Sequence, residues 1–263
     1  MNRRISFSLT LAFLLAHHPA DAFNISFDYT YGGSFFTPTI QNILDTAAGV
    51  YESRITDTLP DTSSGSISIE NPSDSNQTVT VAGSPADTVT IYLGARDLGA
   101  SILGQGGPAW SSGSNGPSWR SATNTEFEPI LGTITFNNAF NNWYVDADPT
   151  TTEPFSGYDF YSVALHEIGH VMGIGTAPSW DAQKSNNTFT GPTATAAYGG
   201  SPPPVTGDGG HWAEGTQSTV NGQTQEAAMD PTLSNGKRKQ LTDLDWAALD
   251  DIGWDVQSVS PSG

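Results

Sequence analysis

Residues 162 to 175, SVALHEIGHVMGIG, constrain what this chain can fold into more than any other stretch. They demand a helix that presents an ion-binding face, and the rest of the chain must be arranged to serve it. In a helix, positions i and i+4 share a face one turn apart, so His166 and His170 can place two imidazole nitrogens on a single ion. Glu167 then sits beside that ion. It is offset from direct ligation but close enough to hydrogen-bond a water there, which is the geometry of a general base. Asp159 is the expected cap, Ser162 to Met172 the body, and Gly173 with Gly175 the stop.

The spacing His166-Glu167-x-x-His170 is the HExxH signature of zinc hydrolases. The competing reading is a helix with two surface histidines and a solvated Glu. With five histidines in 263 residues, chance placement at this spacing around a Glu is a weak rival.

The start of the chain reduces the choice of further ligands. Asn2-Arg3-Arg4, an apolar run from Ile5 to Ala16, and the small residues Ala20-Asp21-Ala22 read as a cleaved signal peptide over residues 1–22. A membrane anchor needs an apolar run of about 20 residues, and His17-His18-Pro19 ends this one early. The expected product is secreted and extracellular, without a membrane span, and covers residues 23–263 as one domain. His17 and His18 leave with the leader, so only His166, His170 and His211 remain. The chain has no cysteine, which excludes thiolate ligands and disulfides.

Formal charge is -18, and -19 once Arg3, Arg4 and Asp21 are removed. Such a surface repels nucleic acid and anionic lipid, so no nucleic-acid or membrane partner is expected. Lys237-Arg238-Lys239 is the one basic cluster and reads as a solvated loop. The acidic excess is compatible with bound calcium, but no Asp-rich loop has EF-hand spacing.

In chain order, Phe23 to Tyr31 alternates as a half-buried strand. A helix follows from Thr37 and Pro38 to about Ile55, with Asp45, Glu52 and Arg54 on a solvated face. Strands are expected at Ser66–Glu70, Gln77–Ala82, Thr88–Gly94 and Ile130–Asn137, with Asn141–Val145 returning beside the last. Residues 94 to 118, which hold Trp110, read as a long loop reaching toward Trp119 and packed rather than disordered. Residues 176 to 210 read as an ordered loop without periodicity. A last helix begins near Thr242, with Asp245 at the capping-box position and Gly253 as its stop. There is no internal repeat. The order of elements gives an α+β class with an α/β-like N-terminal part.

Catalytic zinc usually takes three protein ligands and leaves a fourth position for water. The histidines left to supply the third reduce to His211, although Glu214 and Glu226 stay open as carboxylate alternatives. His211 can also be read as an ordinary loop histidine beside Trp212.

Four segments together resemble the metzincin zinc metallopeptidases, in the leishmanolysin-like variant with a long insertion before the third histidine. They are HEIGHVMG at 166–173, Gly210-His211-Trp212, Ala228-Met229-Asp230-Pro231, and Leu241 to Asp245 running on to Asp251-Ile252-Gly253-Trp254. The chain is also similar to uncharacterised bacterial exported metallopeptidase-like proteins. The resemblance implies a mostly parallel twisted sheet ahead of a metal-binding helix and a C-terminal helix. The upper part would be about 23–173 and the lower part about 174–263. It implies one zinc on His166, His170 and His211, with Glu167 as the base. Gly173 would turn the chain below the metal, and Met229, otherwise an ordinary core residue, would form a floor under it. The strand 130–137 would be the sheet edge that pairs with extended substrate. The expected activity is a monomeric, secreted endopeptidase acting on protein or peptide substrates. The alternative is a secreted binding protein that keeps the zinc-bound fold without cleaving.

The chain departs from the pattern in several places. Thr176 stands where the shorter metzincin motif has its third histidine, and the leishmanolysin-like group is cysteine-rich. The last tyrosine is Tyr198, so no tyrosine role is implied after Met229. No propeptide is visible between Ala22 and the first strand.

Overall fold

The alternation that begins at Phe23 becomes β1 (Asn24–Tyr31) in the computed structural model, which describes residues 22–109, 119–151 and 153–257. Residues 1–21, which hold nearly all of the expected signal peptide, and Trp110 lie outside the described residues. In α1 (Pro38–Glu52), Thr37 Oγ1 accepts the Ile40 N–H at 3.4 Å and Pro38 suits the first turn. Ile40, Ile43, Leu44, Ala47, Ala48 and Tyr51 are buried along one stripe. The helix stops at Glu52, and Ile55 forms an isolated bridge to Val256. Its polar face is not simply solvated. Glu52 Oε1 accepts the Ile25 N–H at 2.8 Å, and the Arg54 guanidinium lies 4.2 Å over the Trp246 ring.

β2 (Ser66–Asn71) and β3 (Asp74–Ala82) form a hairpin whose Ile67, Ile69 and Val81 pack with Tyr92, Ile130 and Leu131 in a small second core. β4 (Thr88–Arg96) is apolar and buried over most of its length, as a strand covered on both faces must be. Then comes β5 (Gly104–Pro108), a short pair β6 (Trp119–Ala122) with β7 (Phe127–Pro129), and β8 (Leu131–Asn137). The sheet order is β1-β4-β8-β5. The first three strands are parallel, and β5 runs antiparallel to β8.

This order corrects two expectations. Residues 94 to 118 contain a strand, and β8 lies inside the sheet while β5 forms its edge. The reason is steric. β5 reads GQGGP and lies against a helix, so that a Cβ on Gly106 would strike the Glu167 carbonyl oxygen. A strand that must approach another backbone this closely loses its side chains, and with them the alternation that announces a strand.

β9 (Trp143–Tyr144) pairs with β10 (Tyr158–Asp159) and not with β8, which corrects the return strand expected at 141–145. β10 runs directly into α2 (Phe160–Val171), capped by Asp159, whose carboxylate accepts the Ser162 N–H at 3.2 Å. Eleven of its twelve residues are buried. Gly173 turns the chain off the helix at φ +112°, a backbone angle that favours glycine.

The segment 176–210 is built of short elements: α3 (Pro178–Ala182), a hairpin of β11 (Lys184–Ser185) with β12 (Thr188–Phe189), and α4 (Pro192–Ala197). Trp180, Phe189 and Trp212, all fully buried, hold it in place, with ring centroids 4.2 Å apart for Trp180–Phe189 and 5.0 Å for Trp180–Trp212. Each such ring pair contributes about 0.5–1.5 kcal/mol beyond its buried area. The hairpin of β13 (Gln217–Val220) and β14 (Gln223–Glu226) precedes α5 (Asp243–Ile252), where Thr242 and Asp245 form a capping box and Gly253 closes the helix at φ +119°.

The fold is therefore mixed α+β, with a partly parallel sheet and few helices. One main core runs from Phe23 to Trp254, and in it α2 lies against α1 and against β5 and β8 of the sheet. The basic cluster is not a solvated loop. Arg238 lies 2.8 Å from Asp146 and 2.9 Å from the helix cap Asp159, and Lys239 is 5% exposed.

Candidate metal centre

α2 places His166 and His170 on one face with their Nε2 atoms 3.0 Å apart, and His211 Nε2 is 3.0 Å from that of His170. His166 Nδ1 is 2.8 Å from the Ala228 carbonyl and His170 Nδ1 is 2.8 Å from the Ile174 carbonyl. A carbonyl only accepts, so both Nδ1 atoms carry the proton and both Nε2 atoms turn a lone pair inward. Burial, then the neighbouring His211, pushes His166 down to about 3. Burial likewise holds His170 well below the ordinary imidazole range and lowers His211. Three neutral imidazoles with converging lone pairs repel one another unless a cation lies between them. Tetrahedral zinc, with Zn–N of about 2.0–2.1 Å, sets its ligand nitrogens about 3.3 Å apart, and this donor set fits it.

His211 comes from a turn that bonds to itself. Asp208 Oδ1 accepts from Thr206 Oγ1 at 2.6 Å and from the Gly210 N–H at 3.1 Å, and the Thr206 N–H donates to the His211 carbonyl at 3.0 Å. Met229 is fully buried and lies against α2 between the two helical histidines. A Cβ on Gly169 would stand 2.5 Å from the Met229 Sδ. Gly173 abuts Phe127, Ala177 and Ile252.

Glu167 is 5% exposed and faces β5. Burial pushes its carboxyl up to about 8, and the Gly106 N–H opposes that shift. A Cβ at Gly104 would lie 2.8 Å from Glu167 Oε1, so the strand's missing side chains make the room in which this carboxylate sits. The site opens onto a cleft of about 760 Å³, walled by β5 and Leu103 on one side and by the 228–233 segment on the other.

Glu214 and Glu226 gather elsewhere, with Asp230. Lys239 Nζ lies among them, 2.9 Å from Glu226 Oε2, 3.2 Å from Asp230 Oδ1 and 2.6 Å from the Thr232 carbonyl. That cluster already holds a cation, so it gives calcium no support. Asp245, legible in the sequence only as a helix cap, also reaches Trp212 and Met229. No sequence signal marked Gly104, Gly106 or Gly169, because a glycine chosen for close approach has no pattern. No helix among the described residues is long and apolar enough to cross a membrane. Compared with protein-family models, curated proteins and solved structures, the chain matches none.

Proposed function

We propose that this chain is an exported, zinc-dependent endopeptidase with a metzincin-like architecture. The observation that carries the reading is the convergence of three histidines, with the Nε2 atoms of His166 and His211 each 3.0 Å from that of His170, beside a buried Glu167 at the wall of a cleft. His166, His170 and His211 would hold the ion. Zinc supplies a Lewis acid that polarises a carbonyl and acidifies water. Glu167 takes the proton of a water entering from the cleft and delivers it to the leaving amine. Its raised pKa suits a group that must both accept and return a proton near neutral pH, and a divalent charge beside it lowers that value. An extended peptide would lie along β5, whose far edge has no strand partner among the described residues and whose Gly104 to Gly106 line the cleft. Gly173 and Met229 would support the site from below.

The test is casein hydrolysis by the purified protein, its loss to a chelator and its return with zinc. Glu167→Gln should keep zinc and lose hydrolysis by roughly 10²–10⁴-fold, the contribution of a general base. Equal rates for the variant and the wild type would rule the mechanism out. The second reading, a secreted zinc-holding binding protein, would be favoured by retained zinc and folding with no cleavage of a broad peptide library. The buried Glu167 argues against it, since a site that only binds has no need of a base there.

A further inference from the structure

The capping box of α5 needs little of Asp245: one carboxylate oxygen returning to the cap. Asp245 Oδ2 does this, accepting from the Thr242 N–H and Oγ1, each at 2.8 Å. The side chain does more, and it is fully buried while doing so. Oδ2 also accepts the Ala228 N–H at 2.9 Å, and Oδ1 accepts the Trp212 indole N–H at 2.9 Å and the Met229 N–H at 3.2 Å. Each of these three further donors adjoins the histidine cluster. Trp212 follows His211 in the chain, and its own N–H donates to the Met229 carbonyl at 3.1 Å. The Met229 N–H and the Ala228 C=O belong to one peptide unit, and that same carbonyl lies 2.8 Å from His166 Nδ1.

We infer that Asp245 is a positioning residue for the metal centre, fixing His166 through the Ala228–Met229 peptide unit and His211 through the Trp212 indole. The inference rests on the reading of the three histidines as metal ligands. Histidine ligands are commonly oriented and made more basic by a carboxylate on their far nitrogen. Here a peptide unit stands between the two. The carboxylate pulls on its N–H, the carbonyl at its other end becomes a stronger acceptor, and the imidazole is held in the tautomer whose Nε2 points inward. One buried charge thereby couples two ligands that are far apart in sequence to the helix behind them.

The experiment compares the mature protein with Asp245→Asn, which keeps size and one acceptor, and Thr242→Ala, which weakens the cap but spares the bonds to Trp212, Ala228 and Met229. Zinc affinity is read by chelator competition and ligand geometry by the visible spectrum of the cobalt-substituted protein, with circular dichroism confirming that each protein is folded. Asp245→Asn should lose zinc affinity by about 10–100-fold, as outer-shell substitutions do, and shift the cobalt bands. Thr242→Ala should lower the melting temperature but leave affinity and spectrum unchanged. If Asp245→Asn does not fold, Trp212→Phe removes the indole donor together with part of a buried ring, and in a protein that circular dichroism shows to be folded it should still weaken zinc and move the bands. A folded Asp245→Asn or Trp212→Phe with wild-type affinity and spectrum overturns the inference while the histidine site stands. A wild type that binds neither zinc nor cobalt overturns the metal reading and this inference with it.

Discussion

Two groups of metal-capable side chains lie near the cleft, and they differ in what fills them. His166, His170 and His211 bring three ring nitrogens together, and none of the three is paired with a lysine or arginine among the described residues. Glu214, Glu226 and Asp230 also gather, and there the Lys239 ammonium meets Glu226, Asp230 and the Thr232 carbonyl, so that its three hydrogens all find acceptors. Clustering of donors is therefore not enough to mark an ion site. What separates the two is whether the lone pairs at the centre are already satisfied by the chain itself.

The sharpest way to break this contrast is to remove a nitrogen from the first group. His170→Ala should reduce zinc affinity by roughly 10³-fold or more, exceeding the ~10–100-fold typical of an outer-shell partner. Zinc content and competition titration measure it, and a variant that holds zinc like the wild type would reduce the two clusters to the same kind of object. In the second group the cation is covalently part of the chain. Lys239→Met strands Asp230 and Glu226 without their partner and should cost about 3–5 kcal/mol, read from urea unfolding. Added calcium should leave the wild-type midpoint where it is; a clear rise would show that the ammonium does not close the site.

A smaller effect separates binding from chemistry. Gly104→Ala puts a methyl 2.8 Å from Glu167 Oε1 and should slow hydrolysis by roughly 10²-fold, the cost of a displaced catalytic group, without altering zinc affinity. A parallel loss of zinc would mean that β5 shapes the ligands as well as the base. The smallest effect concerns the other buried cation. Burial raises the Asp146 carboxyl, but the Asp148 N–H and the Arg238 guanidinium outweigh it and hold it below its ordinary value of 3.8. A depressed pKa contributes stability above the unfolded value and loses it as pH falls through the folded one. Asp146→Asn should lower stability at neutral pH by about 1.5 kcal/mol, as for one charged hydrogen bond. It should also flatten the decline seen on acidification below pH 3.8; an unchanged acid profile would remove Asp146 from that role.

What was legible in the sequence depended on the distance over which each feature is decided. The bodies of α1, α2 and α5 show in the sequence because Thr37, Asp159 and Thr242 cap helices whose apolar spacing is local. His166, Glu167 and His170 are legible for the same reason. His211 could be singled out only because so few histidines remained, and its turn bonds reveal themselves only once folded. Arg238 reads as solvated because its partner Asp146 is 92 residues away. β5 was hidden by its own glycines, and mistaking it for a loop made β8 look like the edge. The arrangement of short elements between Gly175 and His211 is set by aromatic packing of Trp180, Phe189 and Trp212, which leaves no period to read.

The glycines of β5 also bear on motion. A strand of GQGGP has little apolar area to lose on leaving the sheet and regains unusual backbone freedom when it does. Hydrogen bonds to β8 and close backbone contact with α2 at Glu167 retain it, whereas β4 is anchored by buried Val89, Ile91 and Leu93. The wall of the cleft is thus the strand that detaches at lower free energy than its neighbours. A peptide laid along its outer edge would add a second row of hydrogen bonds and hold it, so that the same occupant stiffens the wall and confines the carboxylate behind it.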